Sequence, residues 1–171
     1  MIVRLSKAAL VAAVALLFAA VAYGNITDID DSIGMMQRIL SMAGTAQDED
    51  LMGRAIENAR IHVILYFSLV GAQILVALLC SFGSLRLVMS LFASDAEYNK
   101  AKSLAVSGLT LGFLIYSLGY LVIAEEWFAM WQSPQWHGDT VTRFLVFIGV
   151  VLILVIHKDE TVVEDIYSMR R

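Results

Sequence analysis

Four long apolar runs constrain what this chain can fold into. They cover about residues 5–23, 61–82, 103–124 and 141–156 of a 171-residue sequence. A helix needs roughly 20 apolar residues to cross the hydrocarbon core of a bilayer, and each run is close to that length. The sequence therefore predicts an all-α fold, a four-helix transmembrane bundle, within a single integral membrane domain over residues 1–171.

The composition agrees with this fold and excludes several classes of function. Hydrophobic residues make up 59% of the chain and charged residues 16%, whereas soluble domains average about 45–50% and about 25%. The net charge of −4 offers no basic face for nucleic acid. Because Cys80 is the only cysteine, an intrachain disulfide or a thiolate metal cluster cannot form. The expected surroundings are the lipid bilayer, with no nucleic-acid partner.

The first run also has features of a cleavable signal peptide, with a basic start and Ala20-Val21-Ala22 near its end. Its apolar length is closer to a full span, so we expect a retained helix. One of its faces carries small residues that let a neighbouring helix approach closely. These are Ala8, Ala12, Ala15, Ala19 and Ala22.

The long polar segment 24–60 is predicted to be a helical outer loop. Apolar residues recur at helical spacing in Ser32–Met42, which predicts a short amphipathic helix ended by Gly44. The acidic run Asp48-Glu49-Asp50 suits the start of another helix, because carboxylates favour the positive end of the helix dipole. The run Ser94-Asp95-Ala96-Glu97, in the later loop, also has the character of a helix start.

Three residues inside the spans are predicted to mediate helix packing. Gln73 falls near the middle of the second run, where a buried amide needs a partner. An interhelical hydrogen-bond clamp is the preferred interpretation of Gln73, and the lining of a polar cavity is the alternative. Gly108 and Gly112 form a G-x-x-x-G pair that provides a flat groove for a neighbouring helix.

Residues 125–140, which we call the cap, contain all three tryptophans and the only proline. Such aromatic density is typical of a membrane–water interface. We expect an ion pair formed by Arg143 with Glu125, Glu126 or Asp139 to close the hairpin. The predicted interface residues are Glu125, Glu126, Trp127, Phe128, Met130, Trp131, Gln132, Trp136 and Arg143.

A metal site in the cap is the sharper alternative. His137 with Glu126 or Asp139, completed by His62, would supply nitrogen and oxygen ligands for a divalent ion. The spacing of these residues is not diagnostic, so no metal or other cofactor is assigned. The sequence also lacks a nucleophile–histidine signature and a phosphate-binding glycine loop, so no catalytic residue is predicted and the chain is not expected to be an enzyme.

The distribution of basic residues predicts the orientation. With both termini in the cytoplasm, eight basic residues lie inside and four outside, which satisfies the positive-inside rule. The inner set is Arg4, Lys7, Arg86, Lys100, Lys102, Lys158, Arg170 and Arg171, and the outer set is Arg38, Arg54, Arg60 and Arg143.

Several short motifs are distinctive in this sequence. They are Asn25-Ile26-Thr27-Asp28, Gln37-x-x-Leu40-Ser41-Met42, Arg54-Ala55-Ile56, the run from Ala101-Lys102 to Gly112-Phe113, and Glu126-Trp127-Phe128-Ala129-Met130-Trp131-Gln132-Ser133-x-x-Trp136-x-Gly138 followed by Arg143-Phe144. In these motifs the chain resembles one bacterial family, DUF2165, the predicted small integral membrane proteins. The likeness spans about residues 8–156. It implies four helices in a bacterial inner membrane and no assigned activity. The family pattern commonly has asparagine at the place of His137, which argues against a family-wide metal site.

These observations favour a non-catalytic accessory or assembly subunit of a larger membrane complex. Its expected partner is another membrane protein or a second copy of the chain, bound through the cap and the small-residue helix faces. The alternative is a metal- or small-ligand-binding sensor or transport component that uses the outer cap.

Overall fold

The computed structural model describes residues 1–45, 49–134 and 138–159, which are helical and contain no β-strand. The elements are α1 (Ile2–Thr27), α2 (Ile29–Leu40), α3 (Glu49–Met52), α4 (Ala59–Met89), α5 (Asp95–Ala101), α6 (Ser103–Leu114), a π-helix (Ile115–Trp127), a 3₁₀ turn (Met130–Gln132) and α7 (Gly138–Ile156). Of the predicted cap residues, Trp136 and His137 lie outside the described ranges.

Four of these helical stretches are long and apolar enough to cross a membrane, which confirms the predicted fold class. They are α1, α4, the stretch Asp95–Trp127 and α7. All four are longer than the apolar runs, because helix continues into the polar flanks. The third span begins at Ser94, whose hydroxyl accepts from the Glu97 N–H while the Glu97 carboxylate accepts from the Ser94 N–H. This capping box confirms the helix start predicted there.

The buried face of α1 includes Ala8, Ala15 and Ala22 of the predicted alanine seam but not its other two alanines. Ala19 is exposed and Ala12 only half-buried, whereas valine and phenylalanine occupy the places in between. Spacings that alternate between three and four residues keep one stripe of a helix against its neighbour. The buried apolar residues of α1 are Ala8, Val11, Val14, Ala15, Phe18 and Ala22.

Two glycines bring α4 and α6 into close contact. A Cβ added at Gly83 would lie 2.6 Å from the Ala105 backbone nitrogen, and one at Gly108 would lie 2.8 Å from the Cys80 sulfur. Gly112 also faces α4, because a Cβ there would lie 3.2 Å from the Val76 side chain, and it meets α1 as well, with the Phe18 ring at 2.9 Å. The G-x-x-x-G pair therefore provides the predicted groove, with α4 as its shared neighbour, and also contacts α1.

The segment before α4 contains the predicted amphipathic helix, α2, with slightly shifted bounds. It ends at Leu40 rather than at Gly44, and Met42 then has φ 55°, a left-handed conformation that turns the chain. The helix start predicted at the acidic run Asp48-Glu49-Asp50 is followed only by the four-residue α3. The chain between α3 and α4 is held by His62, whose Nε2 donates to the Ile56 carbonyl (2.6 Å).

We expect Gly83→Leu to lower the stability of the bundle strongly. The added side chain would collide with the Ala105 backbone, which cannot move away as a side chain can, and overpacking costs about 1–3 kcal/mol or more. Gly71→Leu is the matched control, because Gly71 lies on the same helix and an added Cβ there meets no atom within 4 Å. Thermal unfolding in detergent would show the difference; equal midpoints for the two variants would contradict the contact.

Candidate functional site

The cap packs on the segment between α1 and α4. Phe128, Ala129 and Met130 are almost completely buried and contact apolar residues of α2 and of the chain that follows it. The buried members of this cluster, which we call the cap layer, are Ile39, Leu40, Met42, Ala124, Phe128, Ala129 and Met130. The two polar connections of the sequence therefore form one structural unit at one end of the bundle.

A single left-handed residue shapes the exposed side of the cap. The π-helix closes with a hydrogen bond from the Phe128 N–H to the Ile123 carbonyl (3.0 Å), and Ala129 then has φ 51°. This reversal directs Met130 into the cap layer, whereas Trp127 and Trp131 are 54% and 61% exposed. Two exposed indoles therefore flank a buried, closely packed segment of the cap.

Arg54, in the chain between α3 and α4, contacts one of these indoles. Its guanidinium lies 4.9 Å from the centre of the Trp127 ring, and Nη1 donates to the Trp127 carbonyl (3.3 Å). A cation over an indole face is the strongest of the common cation–π pairs. The sequence analysis counted Arg54 only among the basic residues of the outer set and did not predict its contact with Trp127.

Of the three predicted carboxylate partners of Arg143, Asp139 forms the ion pair, but the pair does not cross the hairpin. Arg143 Nη2 lies 2.9 Å from Asp139 Oδ2, one helical turn away within α7, and both side chains are exposed. Residues four apart on a helix are natural neighbours, so this pair forms locally and does not join α7 to the π-helix. Among the other predicted residues, Glu126 is exposed, while Glu125 and Gln132 are half-buried.

The described residues do not assemble the predicted metal ligands. No group of three His, Cys, Asp or Glu side chains among them is arranged to hold an ion. Asp139 pairs with Arg143, and His62 is buried with its Nε2 on the Ile56 carbonyl. His137 lies outside the described ranges.

A cavity of about 320 Å³ lies beneath the cap layer. Its walls come from the end of α1, from α2, from α4 and from the π-helix. The lining residues are Asn25, Ser32, Met35, Met36, Ile39, Leu40, Leu65, Tyr66, Leu69, Gly119, Tyr120, Ile123 and Ala124. This volume is at the lower end of the range for small-molecule sites, about 300–1,000 Å³, and a mostly apolar lining with a few polar groups is typical of such sites.

Polar groups meet at the α1 side of the cavity. Asn25 Nδ2 donates to Gln73 Oε1 (2.8 Å), and the Tyr66 hydroxyl donates to the Asn25 carbonyl. Gln73 is fully buried and joins α4 to α1, as an interhelical clamp does. Its Nε2 has no hydrogen-bond partner among the described residues. The structure thus places Gln73 directly behind a residue that lines the cavity.

The π-helix forms one wall of the cavity. π-Helical geometry is rare and is found mostly as single turns, frequently at functional sites, whereas here it covers Ile115–Trp127. Tyr116 and Tyr120 stack at 5.3 Å along it, and the Phe18 and Phe144 rings pack edge-on against Tyr116. These rings connect the wall to α1 and α7.

The opposite end of the bundle, which we call the terminal end, contains a buried ionic cluster. Lys7 Nζ and Lys102 Nζ lie 2.7 and 2.5 Å from the Asp159 carboxylate, and all three side chains are largely buried. Both lysines also donate to the His157 carbonyl, at 3.0 and 2.7 Å. One carboxylate after α7 is therefore attached to α1 and to the start of the third span.

A second ion pair completes the terminal end. Arg4 pairs with Asp95 and donates to the Leu91 and Ala93 carbonyls at 3.1 and 2.7 Å. The Arg4 guanidinium lies 4.5 Å from the centre of the Tyr98 ring, and the Tyr98 hydroxyl donates to the Arg4 carbonyl. These contacts fix the first turn of α1 against the loop between α4 and α5.

Comparison with known proteins decides the family. The family model described as predicted small integral membrane protein (DUF2165) matches residues 3–158. The chain belongs to the DUF2165 family. Neither the curated proteins nor the solved structures gave a significant match. As an integral membrane protein with four apolar spans, this DUF2165 member contacts the lipid bilayer over much of its surface.

Sequence reasoning missed the cavity and the ionic cluster. The residues of both come from segments far apart in the chain, and no local pattern relates them. One signal was available, because Lys7 lies inside an apolar run and charged residues near a span usually have a partner. The lysine could thus have been singled out, but not Asp159 as its partner.

We expect Asp159→Asn to lower stability by about 3 kcal/mol, because two buried ammonium groups would lose their counter-charge. Burial alone would raise the pKa of Asp159, but the hydrogen bonds and charges of Lys102 and Lys7 hold this pKa below its ordinary value. The stabilisation from this ion-pair cluster is therefore complete above a pH of about 3.9, the ordinary pKa of an aspartate. It is lost as the pH falls through the lowered pKa of Asp159.

Thermal unfolding at several pH values would check this prediction. The wild type should lose stability in acid more steeply than the Asp159→Asn variant. Asp139→Asn is the control, because its exposed pair within α7 contributes only about 0.3–0.5 kcal/mol. An Asp159→Asn variant as stable as the control would contradict the role of the cluster.

We expect Met130→Ala to loosen the cap layer at a cost of about 2–5 kcal/mol, since the side chain is fully buried. The neighbouring Trp131→Ala should change stability by less than about 0.5 kcal/mol, because this indole is exposed. Limited proteolysis of the chain between α2 and α4 would report the difference. Equal cleavage in both variants would show that the cap does not hold this segment.

Proposed function

We propose that this DUF2165 protein is a non-catalytic accessory or assembly subunit of a larger complex in the bacterial inner membrane. The observation that carries the proposal is the exposure of Trp127 and Trp131 on a fully packed base. Preorganised side chains lose little entropy on binding, so they contribute more of their contact energy to affinity.

The chemistry of the exposed surface supports a protein partner. Tryptophan and arginine are the residues most enriched at interface hot spots, and here Arg54 lies over Trp127. Tryptophans at a bilayer interface also contact lipid headgroups. The partner is expected to cover the indoles from the side of the cap, while the spans keep their lipid contacts.

The orientation belongs to the same proposal. The excess of basic residues at the terminal end favours both termini in the cytoplasm, which places the cap on the outer side of the membrane. The partner is another membrane protein or a second copy of this chain.

The test is purification from native membranes in mild detergent, comparing the wild type with a Trp127→Ala, Trp131→Ala double variant. We expect a stoichiometric membrane partner with the wild type and at least about a 30-fold loss in its recovery with the variant, since even one hot-spot residue contributes about 2 kcal/mol or more. Phe92→Ala is the matched control, because Phe92 is 87% exposed in the loop between α4 and α5 at the terminal end.

Phe92→Ala should retain the partner. A stable wild-type monomer with no co-purifying protein would overturn the proposal, as would equal loss in both variants.

A second candidate function is favoured by the cavity beneath the cap layer. An apolar space of about 320 Å³ with polar groups at one side is suited to a small ligand. A ligand-binding sensor or transport component would use such a space, and its ligand chemistry follows from the lining residues.

A further inference from the structure

We propose that the cavity beneath the cap layer binds one acyl chain of a phospholipid, with the ester group of that chain at Ser32 and Asn25. This inference rests on the second candidate function and names its ligand class. It does not depend on a protein partner at the cap. The argument comes from the position, the lining and the polar end of the cavity.

The position of the cavity opens it toward lipid. Among its lining residues, Leu65 and Ile123 are the most exposed, at 40% and 47%. They belong to two membrane-spanning stretches, α4 and the π-helix. Leu65 and Leu69 lie six and ten residues from the first residue of α4, which corresponds to roughly 9–15 Å of helix. A side opening at that depth faces hydrocarbon and not water.

The lining selects an uncharged chain. None of the lining residues that the structure describes is charged, and most are apolar. Met35 and Met36 contribute flexible thioether side chains, which adapt to a chain without a fixed shape. An anionic or cationic ligand would lose its hydration here with no counter-charge in return.

The polar end of the cavity matches an ester group. The Ser32 hydroxyl has no hydrogen-bond partner among the described residues, although it lines the cavity. The hydroxyls of Ser6, Thr27, Ser68, Ser107 and Thr142, by contrast, each donate to the carbonyl four residues earlier. The free hydroxyl of Ser32 can donate to an ester carbonyl.

The position of that hydroxyl also fits a phospholipid. Ser32 belongs to α2, in the polar segment at the cap end of the bundle. In the proposed binding mode the glycerol ester lies at that end. The aliphatic lining, by contrast, reaches down along α4 and the π-helix. A lipid with its ester at α2 would therefore place its acyl chain along the depth of the cavity.

Gly119 provides the means of testing the proposal. It lines the cavity, and a Cβ added there meets no atom within 4 Å. Gly119→Phe therefore fills the cavity without a backbone collision. Gly71→Phe is the matched control, because Gly71 has the same free space but faces outward on α4, away from the cavity.

The experiment uses the full chain in nanodiscs that contain phosphatidylglycerol with a diazirine on one acyl chain. Irradiation labels the residues next to that chain, and mass spectrometry maps them. We expect labelling of Met35, Met36 and Leu69 to exceed that of the outward-facing Leu85, which is 55% exposed and does not line the cavity. Gly119→Phe should reduce the labelling in the cavity about tenfold, and Gly71→Phe should leave it unchanged.

Two further variants keep the test decisive. Met36→Trp fills the same space from α2 and should act like Gly119→Phe, so the result does not depend on one substitution in the π-helix. Ser32→Ala should reduce the labelling about threefold, as the loss of one hydrogen bond implies. Labelling in the cavity no greater than at Leu85, or unchanged by both filling variants, would overturn the proposal. Recovery of a protein partner is measured separately, so either proposal can fail alone.

Discussion

The close contact of α4 with α6 is the constraint on which the rest of the bundle depends. Helices in lipid gain no hydrophobic energy from meeting each other, so their association relies on close van der Waals packing. Gly83 and Gly108 allow that packing by removing the Cβ atoms that would separate the two backbones. With this crossing fixed, the π-helix that continues α6 comes to lie opposite the cap-end part of α4, and the cavity forms between them.

The two ends of the bundle are held together by different forces. At the terminal end, the buried carboxylate of Asp159 attracts two lysines from other helices, in surroundings where unpaired charge is costly. At the cap end, Met130 and its neighbours exclude water from the surface of α2. The stability of the terminal end is therefore expected to depend on pH, and that of the cap end on the volume of its buried side chains.

The sequence predicted the elements better than their contacts. Apolar runs and helical periodicity gave the four spans, α2 and the capped start at Ser94, because these depend on residues close in the chain. Sequence also indicated that Gln73 needs a partner, but Asn25 lies 48 positions away and no pattern relates the two. The packing of the cap on α2, the pairing of Lys7 with Asp159 and the π-helical winding likewise depend on the tertiary structure. The roles expected for Trp136 and His137 stay predictions.

The placement of the tryptophans has a practical consequence. All three belong to residues 127–136, and Trp127 lies under the Arg54 guanidinium. Among the residues that the structure describes, Trp127 and Trp131 lie in the cap. Their emission, excited at wavelengths that tyrosine does not absorb, therefore reports on that end of the bundle. Departure of Arg54 from the Trp127 ring would change the electrostatic field at an indole and shift its emission. The unlabelled wild-type chain thus carries an optical reporter of whether its loop and its cap remain in contact.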